Sequence, residues 1–78
     1  NSEQALSNFY DIADIQKTTP YKALWNLMSK HLYSVQKLIN SEGNGATREL
    51  IREKIGDTRN YLLLLEALLI ENLKLNKD

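Results

Sequence analysis

The sequence predicts an all-α protein, a short N-terminal helix followed by a long antiparallel helical hairpin, assembled into a helical-bundle homo-oligomer. Three observations predict it. Apolar residues recur at three- and four-residue spacing along most of the chain. The two interruptions, Thr18-Thr19-Pro20 and Ser41-Glu42-Gly43-Asn44-Gly45, carry helix punctuation. Tyr61 to Ile70 places a single charge, Glu66, among nine apolar side chains. A helix apolar around nearly its whole circumference must be covered on more than one side. A chain of 78 residues has little mass with which to do so.

The first helix is expected over about Glu3 to Gln16, with Leu6, Phe9, Tyr10 and Ala13 on one face and Ile12 and Ile15 off it. Thr19 is a suitable N-cap and Pro20 suits the first helical position, where its missing N–H costs nothing. The second helix therefore runs from about Pro20 to Asn40. Its inner face is expected to hold Leu24, Leu27, Met28, His31, Val35 and Leu38, with Leu32 and Ile39 at the margin. Two glycines and an asparagine in 41–45 accept positive φ at low cost, and so short a connection implies antiparallel neighbours.

The third helix is expected from about Ala46 or Thr47 to Lys74 or beyond, roughly 45 Å against about 30 Å for the second. Its last turns overhang the second helix; the first helix could cover part of the overhang, and a neighbouring subunit is the more economical cover. Ile51, Ile55, Thr58, Leu62, Leu65 and Leu69 form a heptad-like seam. Leu50, Tyr61, Leu64, Leu68 and Leu75 form a second line, so one line can face the hairpin and the other a symmetry mate. Self-association is accordingly expected through Leu62, Leu65, Leu68 and Leu69. Residues 1–78 read as one domain, with no internal repeat.

Composition excludes several functions. Without cysteine, and with His31 as the only histidine, neither disulfides nor a Cys/His zinc site can form. Ten basic and ten acidic residues cancel, against general nucleic-acid binding by phosphate charge. The apolar run is too short to span a bilayer, and no secretory signal is recognisable. A cytoplasmic location is expected, and the start at Asn1 without methionine reads as a trimmed chain.

Candidate chemistry concentrates between Thr47 and Tyr61. Glu49, Glu53, Asp57 and Asn60 fall within an arc of about 80° on a helix. Carboxylates at such spacing repel unless a cation lies between them, so they form either a Mg²⁺ half-site or a solvated acidic stripe compensated by arginines, as with Glu49 and Arg52. No cofactor is expected, Mg²⁺ being the possible exception. Gly56 marks either a close approach or a tolerated surface glycine. His31 reads as a hydrogen-bonded core or margin residue, without a nucleophile to join it. Tyr21 and Trp25 either cover the first helix, anchor an interface or offer a base a stacking platform, structural packing being favoured, and Tyr33 is expected to be exposed or between subunits. Arg52, Arg59, Asn60 and Tyr61 are the candidate ligand contacts: guanidinium for phosphate, amide for base edges, ring for stacking.

The segment Glu49-x₃-Glu53-x₃-Asp57-x₂-Asn60-Tyr61, followed by leucines, resembles the closing helix of the phage nucleotide-modification-associated domains. These are similar to the all-α nucleotide pyrophosphohydrolases, helical assemblies that hold Mg²⁺ between carboxylates of two helices. The resemblance covers fifteen to twenty residues. It implies metal positions at Glu49, Glu53 and Asp57. The preceding helix of those enzymes supplies further carboxylates, whereas Pro20 to Asn40 contains none, which argues against hydrolysis. The layout is also similar to phage proteins that sequester cyclic-nucleotide signals between subunits.

The expected function is a non-enzymatic, homo-oligomeric binding protein of phage or mobile-element type, with a nucleotide-like ligand at an inter-subunit rim. One alternative is an inhibitor or adaptor that presents an apolar helix to a host protein. The other is a Mg²⁺-dependent pyrophosphohydrolase with an incomplete acidic site.

Overall fold

The computed structural model describes residues 2–75, and these contain three helices, α1 (Ser2–Gln16), α2 (Pro20–Ser41) and α3 (Arg48–Leu75), with no strand. All three helices lie within a residue or two of their expected bounds; any continuation of α3 past Leu75 falls outside the described residues.

The boundaries follow from local chemistry. Thr19 holds extended backbone at the head of α2, and its hydroxyl accepts from the Lys22 N–H at 3.2 Å, with Pro20 next to it. Thr47 does the same for α3, accepting from the Leu50 N–H at 3.1 Å. α1 and α2 both end in a left-handed residue followed by a long backward hydrogen bond. Lys17 (φ 54°) precedes the Thr18 N–H to Ala13 C=O bond of 2.9 Å, and Glu42 (φ 55°) precedes the Gly43 N–H to Leu38 C=O bond of 2.9 Å. The expected positive φ therefore falls on Glu42, Gly43 and Gly45, with Asn44 outside that region.

Leu6, Phe9, Leu24, Met28 and Leu68 form the core, to which all three helices contribute. The expected inner faces of α1 and α2 largely hold. Leu6, Phe9 and Ala13 are buried, as are Leu24 and Met28, while Ile39 is exposed. Ala23, which the spacing did not single out, is also buried. Between α2 and α3, Gly43 lies beside Ile51, and His31 beside Asp57.

Of the two expected covers of the leucine run, the less favoured one, the first helix, is present. α1 lies over the run, setting the Phe9 ring edge-on to Tyr61 at 6.4 Å and closing on Leu68, which is 0% exposed. Leu68 thus packs inside the chain, and Leu65, expected with it at the self-association surface, is partly buried against the same core. The seam also divides. Ile51, Thr58 and Leu65 turn inward, whereas Ile55, Leu62 and Leu69 are exposed. The inward line continues through Tyr61 and Leu68, so the α3 buried stripe is itself heptad-spaced but rotated from the expected one. Of the second line, Leu50 and Leu75 are exposed. Thr58 is tolerated inside because its hydroxyl donates to the Lys54 carbonyl at 3.1 Å.

Gly56 approaches nothing: a Cβ built there meets no atom within 4 Å. Within one chain this glycine only weakens α3, so Gly56→Ala is expected to raise stability by about 1 kcal/mol, readable from urea denaturation.

Candidate functional site

Two features of α3 border one another: a polar cluster against α2 and an apolar outer face. In the cluster, His31 Nδ1 lies 3.7 Å from Asp57 Oδ2, and the His31 ring lies 4.9 Å from the Tyr61 ring. At that separation the imidazole and carboxylate interact by charge when the ring is protonated, without a short hydrogen bond. Both side chains are about one-third exposed, 31% and 39%, so solvent reaches them. His31, expected as a hydrogen-bonded core or margin residue, lies at the margin, and its side chain makes no hydrogen bond among the described residues. Its pairing with Asp57 was not readable beforehand, because it depends on the register between two helices separated by a turn.

Candidate ligand residues do not share one face. Arg52, Arg59 and Asn60 are exposed, but Tyr61 is turned inward between Phe9 and His31. Steps of about 100° explain this, since nine residues from Arg52 to Tyr61 amount to a half-turn. Tyr61 therefore supports the core and is not a free stacking platform. Of the acidic residues, Glu49 and Glu53 are exposed and Asp57 is partly so. Among the described residues of one chain, no three His, Asp or Glu side chains come together to hold a metal ion. Nor does Glu49 form an ion pair with Arg52.

The outer face of α3 carries Ile55, Leu62, Leu63, Leu69, Ile70 and Leu73, all exposed, with Leu62 at 51%, Leu63 at 57% and Leu73 at 70%. Single exposed leucines are ordinary, but six large apolar side chains along one face of a helix are more than scattered exposure accounts for. Trp25 and Tyr33 of α2 are also exposed, with the Lys37 ammonium 4.5 Å above the Tyr33 ring. Tyr21 is partly buried and packs against the core. No described helix is long and apolar enough to cross a membrane.

At the end of α3 away from the turn, Tyr10 Oη donates to Glu71 Oε1 at 3.4 Å. Burial, then the neighbouring Glu71 charge, raises the Tyr10 pKa above its ordinary 10.0. The folded state holds this phenolic proton more tightly than the unfolded chain does. Its contribution is therefore complete below pH 10 and lost as pH rises through the folded pKa. Tyr10→Phe is expected to lessen the loss of thermal stability between about pH 9 and 11, measured by melting both proteins across that range.

Comparison of the chain with protein families, curated proteins and solved structures gives no match.

Proposed function

We propose that this chain is a non-enzymatic helical binding protein that works as a homo-oligomer, its α2–α3 hairpin joining other copies through the outer face of α3. The exposed strip from Ile55 to Leu73 carries this reading, because α1 has covered the opposite side of the same helix and left this one open. Burying such a strip removes apolar surface from water at about 25 cal/mol per Å². Leu62→Glu is expected to abolish association while leaving the helical circular dichroism intact. Unchanged association in that variant would remove the outer face from the reading.

A nucleotide-like ligand at the border of this face is the second part of the proposal. Arg52 and Arg59, seven residues apart, share nearly one longitude of α3, with the exposed Asn60 amide beside them. Guanidinium groups suit phosphate, and an amide suits a base edge. Calorimetry against mono-, di- and cyclic nucleotides is expected to give binding that Arg52→Ala weakens. No heat with any of them would leave assembly, or docking to a host protein, as the function of the face.

A further inference from the structure

The exposed strip on α3 is interrupted at its centre by two charges of opposite sign. Arg59 precedes the Leu62-Leu63 pair and Glu66 follows it, each three residues from the nearer leucine. Both are exposed, and neither has an ion-pair partner among the described residues. On a helix they lie about 10 Å apart along the axis and within about 20° of one longitude, near the middle of the open face.

This arrangement is complementary to itself in one direction only. Resting on the proposal that α3 joins copies of the chain, we infer that the occupant of its outer face is a second copy packed antiparallel. The two-fold axis passes between Leu62 and Leu63, so that Arg59 of each copy meets the partner's Glu66. Rotation about that axis brings each charge level with its opposite twice over and sets Ile55 level with the partner's Ile70. A parallel, in-register pair would instead place Arg59 against the partner's Arg59 and Glu66 against the partner's Glu66. Like charges facing across a helical interface select against that arrangement. Such an isologous contact closes on itself and gives a dimer, not a filament. It also assigns Arg59 to assembly, leaving Arg52 and Asn60 for a ligand.

The test uses the full chain in two single-charge variants, Arg59→Glu and Glu66→Arg, each compared with the parent by sedimentation equilibrium. Each variant alone is expected to associate about tenfold or more weakly than the parent, because both symmetric pairs become like-charged. Mixed in equal amounts, the two are expected to recover parent-like association, since every cross-contact is again opposite in sign. Circular dichroism confirms that these exposed substitutions leave the helices formed. A dimeric parent whose two variants associate as tightly as it does overturns this pairing and leaves assembly through α3 standing. A monomeric parent overturns both. Because the chain has no cysteine, orientation can be read separately. Ile55→Cys mixed with Ile70→Cys is expected to give a disulfide-linked dimer under oxidation. Cross-linking of either variant only with itself would contradict the antiparallel arrangement.

Discussion

Leu68→Ala is expected to destabilise the chain by about 3–5 kcal/mol, the range for removing a fully buried leucine from a core that cannot collapse around the space. Leu68 is 0% exposed and packs with Leu6 and Phe9 of α1 and with Leu24 and Met28 of α2. A domain of this length holds roughly 4–12 kcal/mol in total, so the loss takes from about a quarter of the stability to all of it. Leu62→Ala, six residues earlier in the same leucine run, should cost below about 1 kcal/mol in the monomer, since Leu62 is 51% exposed. Chemical denaturation of both variants at low protein concentration checks the contrast. Equal losses would show that the two leucines are not divided between inside and outside as described.

Phe9→Ala should lower stability by about 3–4 kcal/mol, although Phe9 lies in the shortest helix. Its ring is buried, edge-on to Tyr61, and Tyr61 in turn stacks near His31. Removing it opens the core and frees Tyr61 from one of its two ring neighbours. The loss should extend beyond α1, because an isolated helix of fifteen residues is marginal in water and α1 is held by this contact. Amide hydrogen exchange reads this directly: protection should fall around Tyr61 and Leu68 as well as in α1. Loss confined to α1 would mean that α2 and α3 hold their core without it.

The helices were legible because their ends carry specific chemistry. Thr19-Pro20 and the glycine turn fixed α2 at both ends through capping oxygens and left-handed backbone. The inner faces of α1 and α2 were legible because each is amphipathic, with only one way to turn. α3 was harder for a physical reason. From Tyr61 onward its apolar residues encircle it, so periodicity could not say which line faces inward. α1 decided the matter by docking over Leu68, and the expected seam split so that Ile55, Leu62 and Leu69 were left outside.

The candidate site was legible in its residue types but less so in its geometry. Arg52, Arg59 and Asn60 are exposed as a ligand site would need, whereas Tyr61 serves the core. That inward turn follows from the rotation of α3, which the polar sequence between Thr47 and Tyr61 did not define alone. His31 and Asp57 lie 26 residues apart in sequence, and only the packing of α2 on α3 brings them to 3.7 Å. Glu49, Glu53 and Asp57 share a stripe without forming a metal-holding group in one chain.

On the proposed function, the open face of α3 joins copies of this chain. Sedimentation equilibrium of the unmodified protein over a wide concentration range tests it most directly. The mass is expected to rise with concentration from 9.0 kDa towards that of a closed dimer. A mass that stays at 9.0 kDa throughout would contradict it.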